Sequence, residues 1–166
     1  GAASRRFGIA PRRVQQDAWW HSYLPAPIHL THGRRNPISA WWADLGLEDC
    51  RSRQKFVPDA LHAVPDHQVR LFLRHLWATD GTIGINTSGT GPRVRLSYAT
   101  TSRRLADDVQ RLLLRVGVQA RLSVVPQGDH HPLHQVRVDG VTSQQRFLED
   151  VGIHGRRGRL VAPALE

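Results

Sequence analysis

Cysteine and lysine are nearly missing from this 166-residue chain, which has one cysteine, Cys50, one lysine, Lys55, and no methionine. A single cysteine excludes an internal disulfide and a multi-cysteine zinc site, leaving Cys50 as a small hydrophobe near a helix end. No apolar run approaches the roughly 18 residues that a membrane-crossing helix needs, and the first residues carry no signal-peptide pattern. The G-x-x-x-x-G-K-[ST] phosphate loop is also lacking, so no ATPase function of that type belongs to these residues. A soluble, cytoplasmic protein with no membrane partner is the expectation. Acidic residues are scarce as well: 14 Asp plus Glu against 23 Lys plus Arg give a formal net charge of +9 and a pI of about 11.4. An excess of this size points to a polyanion, because cationic side chains displace counterions from phosphate.

All the basic residues except Lys55 are arginines, whose planar fork grips phosphate bidentately and stacks on bases. They recur with a period of two. In the segment from Arg93 to Tyr98, Arg93, Arg95 and Ser97 share one face and Val94, Leu96 and Tyr98 the other. The same split holds for Arg121 and Ser123 against Leu122 and Val124, and for Gln135 and Arg137 against Val136 and Val138. A sheet with one apolar face under helices and one basic face open to a ligand is expected.

Helical signals lie between these strands. Asn36-Pro37 opens a helix over Ile38 to Leu45 that Gly46 closes. Pro65-Asp66 caps a second, with Val69, Phe72, Leu73 and Leu76 at i, i+3, i+4 and i+7. Ser102 caps a third, whose Leu105, Val109, Leu112, Leu113 and Val116 form one stripe before Gly117. A fourth runs from about Ser143 to Val151 and stops at Gly152. The stretch Leu71 to Gly81, LFLRHLWATDG, ends its helix on a lone carboxylate, Asp80, which leads into a strand, a glycine-rich loop and a second strand. An internal repeat aligns Ser39–Leu47 with Gln145–Ile153 through Asp44 and Asp150 and through Gly46 and Gly152.

The order αββαββα, with a helix closing on Asp-Gly, resembles the LAGLIDADG, or DOD-type, homing endonucleases. Leu73, Arg74, His75, Leu76, Trp77, Ala78, Thr79, Asp80 and Gly81 carry the motif. The run after it, TSRRLADDVQRLLLRVGVQARLSV, and the K-x-x-P element Lys55-Phe56-Val57-Pro58 stand where intein endonucleases have them. The likeness covers about Trp20 to Gly155 and is strongest to inteins of actinobacterial replicative DNA helicases. It implies an α+β fold whose antiparallel sheets form a DNA-binding saddle, with helices packed on the opposite face. Residues 1–60 are then the end of a first repeat lacking its motif helix, and 61–166 a complete second repeat. Asp80 and the Gly81 backbone are the implied Mg²⁺ ligands, and Lys55 is the catalytic companion of Asp80. Arg93, Arg95, Ser97, Arg121, Ser123, Gln135 and Arg137, with Arg12, Arg13, Arg34 and Arg35 of the first half, are the implied contacts to double-stranded DNA.

The sequence departs from the family pattern at several places. His75 and Thr79 occupy positions that are usually small where two motif helices meet, and Ala78 replaces an aspartate. No other helix ending in Asp-Gly lies before Lys55, so the chain is expected to need a missing first repeat, or a copy of itself, against Phe72, His75, Leu76 and Thr79. Neither Gly1 nor the terminal Ala164-Leu165-Glu166 supplies splicing residues, so self-splicing is not expected. Two other functions remain open: a non-catalytic DNA-binding protein of the same fold, and a maturase-like role in RNA splicing. Around Pro132, His130, His131 and His134 read as a solvated loop beside DNA rather than a zinc site. Trp19-Trp20 and Trp41-Trp42 read as core and sheet cover, with base stacking as the alternative for one of each pair.

Overall fold

In a computed structural model of the chain, residues 5–31, 33–86 and 93–165 are described, apart from the side chains of Arg93, Arg156, Pro163 and Leu165. The glycine-rich loop expected after the Asp80 strand, Thr87 to Pro92, lies outside them. Two compact units divide between Asp49 and Cys50. In the first, strands β1 (Arg12–Gln15) and β2 (Trp20–Tyr23) form an antiparallel hairpin followed by helix α1 (Pro37–Asp44). Asn36 caps α1 as its composition requires: the side-chain oxygen accepts from the Ile38 amide at 2.9 Å, and Pro37 fills the first turn.

The second unit contains a short helix α2 (Asp59–His62), then the motif helix α3 (Asp66–Asp80), β3 (Gly81–Asn86) and β4 (Arg93–Thr100). Helix α4 (Arg103–Arg115), β5 (Ala120–Gln127), β6 (His130–Val138) and α5 (Val141–Arg146) complete the series. A wide π-type turn, Phe147–Val151, prolongs α5, and a 3₁₀ turn, Gly155–Leu160, leads to α6 (Val161–Leu165). The fold is α+β, and all strand pairs are antiparallel, in the order β3-β4-β6-β5 in the larger sheet.

Period and caps place the core. Leu105, Val109, Leu112, Leu113 and Val116 of the α4 stripe are all buried, while Leu114, which points off that stripe, is exposed. Ser102 Oγ accepts from the Leu105 amide at 3.2 Å, and Gly117 ends the helix with φ +80°. On α3 the buried line is Val69, Leu73 and Trp77, with Phe72 and Leu76 at its margin. The line lies to one side of the expected stripe because Trp77, the largest fully buried side chain, turns inward against Phe147 (ring centroids 4.8 Å) and Tyr98 (5.6 Å).

The histidine segment is strand rather than loop. β6 includes Pro132, which the sheet accommodates because β4 pairs with β6 only from His134 onward. Residues 130–133 therefore have a neighbour on one side only, where a missing N–H costs little, and a register irregularity in β5 falls opposite them.

A buried carboxylate ties the segment before α2 to α4. Asp108 accepts from the Val57 amide at 3.0 Å, and both residues are buried. Asp108→Ala leaves that amide unpaired and should cost about 1–3 kcal/mol in urea unfolding. Asp108→Asn, which keeps an oxygen acceptor, should cost less; equal losses would show that the bond contributes nothing.

Candidate nucleic-acid interface and acidic site

Asp80 is the last residue of α3, and Gly81 immediately begins β3, paired with Tyr98 of β4. Side chains facing the sheet interior hold this junction in place. A Cβ on Gly81 would lie 2.6 Å from the Trp77 Cα, so only glycine lets the helix foot sit against the indole. Asp80 itself is exposed, and its carboxylate has no ion pair or hydrogen-bond partner among the described residues. Tyr98 lies within its field: burial first, and the Asp80 charge second, push the phenol up to about 12. Tyr98 is thus a neutral hydroxyl next to an available anion throughout the physiological range.

Lys55 reaches the same end of β4 from another direction. Its carbonyl accepts from Ser102 Oγ at 2.6 Å, just past the end of the strand at Thr100. The Lys55 side chain is exposed, and no hydrogen bond or ion pair joins it to Asp80 among the described residues. Phe56 beside it lies under the Arg104 guanidinium, 4.3 Å from the ring centroid.

A free carboxylate next to a backbone turn suits a hydrated divalent ion, since Mg²⁺ keeps several waters and takes few protein ligands. No group of three or more His, Cys, Asp or Glu capable of holding a metal occurs among the described residues.

Strand register turns the alternating arginines into a surface. Thr82, Ser97, Arg137 and Arg121 form one row across β3, β4, β6 and β5, with Ala99, Gln135 and Ser123 in the next. Arg95, Arg121, Ser123 and Arg137 are exposed, and Gln135 is half-buried. Arg93 starts β4, and its side chain is outside the described set. Ser97 departs from expectation: it is only 4% exposed, because Thr82 and Arg137 flank it on a central strand and cover so short a side chain. Ser97 therefore offers little to a ligand, and Thr82 and Asn86, exposed on β3, are open-face residues that the repetition of arginine did not reveal. Their signal was present in the alternation of Thr82, Gly84 and Asn86 with Ile83 and Ile85.

The arginines are not equally available. Asp139 binds both Arg121 (3.1 Å) and Arg137 (3.0 Å), which fixes the two guanidinium groups side by side and offsets part of their charge. Arg35 is held by both carboxylate oxygens of Glu48 at 2.7 and 2.8 Å; that hydrogen bond, and then the Glu48 charge, raise its pKa further. Arg34 is exposed. On the hairpin, Arg12 stands over Tyr23 (5.3 Å) and Arg13 over Trp20 (5.7 Å). The four tryptophans expected as core and sheet cover are instead exposed, Trp20 at 56% and Trp42 at 48%. For Trp19 and Trp20 the reason is local: a two-stranded hairpin has too little surface of its own to bury them.

The outer face of α3 is mixed and partly exposed. Leu71 is 50% exposed, His75 and Thr79 are exposed, and Phe72 and Leu76 are half-buried. The His75 and His154 rings meet at a tilt of 43° with centroids 4.4 Å apart, and partial desolvation, then the potentials of His75 and Arg74, lower the His154 pKa.

Residues 67–152 match the LAGLIDADG-like domain. The chain is 42% identical over 160 residues, 95% of its length, to the replicative DNA helicase DnaB of Rhodothermus marinus. It is also 42% identical over 156 residues, 92% of its length, to the replicative DNA helicase DnaB of Nostoc sp.. With a DNA gyrase subunit of Mycolicibacterium flavescens it shares 39% identity over 105 residues, 63% of the chain. These segments cover 17%, 18% and 18% of the three proteins, so the chain spans about a sixth of the length of the curated relatives it matches.

Proposed function

This chain belongs to the LAGLIDADG-like domain family, and from that premise we propose that it is part of a site-specific, Mg²⁺-dependent double-strand DNA endonuclease, encoded within an intein of a replicative DNA helicase. The observation that carries the reading is Asp80: an exposed carboxylate with no partner among the described residues, at the end of a packed helix in a protein of net charge +9. Asp80 and the Gly81 backbone would hold the metal ion, which would supply Lewis-acid polarisation of the scissile phosphate and a more acidic water. Lys55 stabilises charge at the same end of β4. The open face of the sheet receives the DNA backbone and base edges through Arg95, Arg121, Ser123, Gln135 and Arg137, with Thr82 and Asn86 beside them. Arg12, Arg13 and Arg34 of the hairpin unit add phosphate contacts of their own. Residues 1–60 and 61–166 correspond to the end of one repeat and the whole of another, and the partly exposed face of α3 packs against a second motif helix, from a first repeat or from another copy.

The test is cleavage of duplex DNA carrying the intein insertion site by the full-length protein with and without Mg²⁺. Salt-sensitive binding without cleavage at any Mg²⁺ concentration would leave the non-catalytic DNA-binding reading instead. That second reading has one observation in its favour, the lack among the described residues of any group of three or more His, Cys, Asp or Glu that could hold a metal ion.

Binding itself separates the arginines. If Arg95, which has no ion pair among the described residues, contacts one phosphate, Arg95→Ala lowers the slope of log K against log salt by about 0.9. Arg35→Ala leaves that slope nearly unchanged, because Glu48 already holds the guanidinium. Equal effects from the two substitutions would remove this ranking of the basic surface.

A further inference from the structure

We propose that Arg157 is a positioning residue for Asp80, the resident cation that allows a carboxylate to stand at the end of the motif helix. Other ends in this fold close on left-handed glycines: Gly46 after α1, Gly117 after α4 and Gly152 after the π-type turn, with φ of 71°, 80° and 64°. Each reverses the chain so that backbone amides cover the last carbonyls, as in Gly46 N to Ala43 O (2.8 Å), Val118 N to Leu113 O (2.9 Å) and Gly152 N to Phe147 O (2.8 Å).

Helix α3 ends differently. Gly81 is extended, with φ −74° and ψ 158°, because it is already paired in β3, and its amide bonds only to the Trp77 carbonyl. Among the described residues the carbonyls of Ala78 and Thr79 thus lack a backbone cap. Nη1 of Arg157 supplies one: it donates to Ala78 O at 3.1 Å and to Thr79 O, and lies 3.5 Å from Trp77 O. The approach is fixed by the turn that carries Arg157. Gly158 packs so tightly on the Ile153 peptide that a Cβ would stand 3.4 Å from its carbonyl carbon and clash with the oxygen.

Charge makes this cap more than a hydrogen-bond device. A helix C-terminus is the negative end of the macrodipole, and a carboxylate there is repelled. Asp80 occupies that unfavourable place, and Arg157 is a cation bound to the carbonyls just before it. The guanidinium offsets both the dipole and the carboxylate while bonding, among the described residues, to backbone alone, so Asp80 stays available to a ligand. This inference goes beyond the nuclease reading and depends on it only for the role of Asp80.

A double-mutant cycle tests it in the intact chain by urea unfolding. Arg157→Ala should lower the folding equilibrium constant about tenfold with Asp80 present, and only about threefold in an Asp80→Asn background. Equal factors in the two backgrounds would overturn the proposal, because a purely structural cap is indifferent to the charge at residue 80. If Arg157→Ala does not fold, Arg157→Lys and Arg157→Gln carry the same comparison. Lysine keeps the charge and should show the smaller loss when Asp80 is present; a glutamine variant as stable as the parent would refute the role of charge. Absence of DNA cleavage with the coupling intact would sink the nuclease reading alone, while cleavage with an additive cycle would sink this inference alone.

Discussion

Asp80→Asn is expected to reduce Mg²⁺-dependent cleavage of duplex DNA by the full-length protein about 10³-fold or more while leaving DNA affinity nearly intact. The substitution keeps the size of the side chain and one oxygen acceptor, and removes the charge proposed to hold the metal. Several kcal/mol of metal-derived stabilisation at the phosphate correspond to this range, since each 1.36 kcal/mol is tenfold in rate. Collapse of the fold would not explain such a loss. Asp80 is exposed, has no ion pair among the described residues and sits at the negative end of α3, so its neutral analogue should be as stable as the parent. Cleavage assays with a Mg²⁺ titration, run beside binding in Ca²⁺, check both halves. Wild-type rates in the asparagine variant would remove Asp80 from the chemistry, and a parallel loss of binding would make it a DNA contact instead.

Trp77→Ala should be the most damaging single change to stability, costing about 3–5 kcal/mol in urea unfolding. The indole is fully buried, stacks near Tyr98 and Phe147, and lies directly beneath Gly81. Its removal opens a cavity between α3, β4 and the π-type turn, at the point where the helix hands over to the strand. Asp80 loses its fixed position along with the core, so cleavage should fall more than the folded fraction alone requires. Trp77→Phe should be much milder. The indole N–H is buried without a hydrogen-bond partner among the described residues, so phenylalanine removes an unpaired donor while retaining most of the volume. A phenylalanine variant as unstable as the alanine variant would show that this account of the site is wrong.

Much of the fold was legible because its determinants are local. Asn36, Ser102, Gly46, Gly117 and Gly152 mark helix ends through bonds spanning two to five residues, and the α4 stripe is periodicity made visible as burial. Strand alternation separated Arg95, Arg121 and Arg137 from the core in the same way. Pro132 was misleading because its effect depends on whether a neighbour pairs at that point, and β4 ends its pairing two residues later in β6. Ser97 misled for the complementary reason, as a correct face assignment says nothing about side chains on the flanking strands.

By itself, the sequence determined the basic character, the αββαββα order, the position of Asp80 at a helix end and the faces of the strands, all of which follow from composition, caps and period. Only the tertiary structure decided which arginines are engaged by Asp139 and Glu48, that Lys55 is anchored to Ser102, and that Arg157 caps the helix that bears Asp80. The physical reason is range. Period and caps act within a few residues, whereas Arg157 meets carbonyls 78 to 80 positions earlier, a bond that exists only once the chain has folded back on itself.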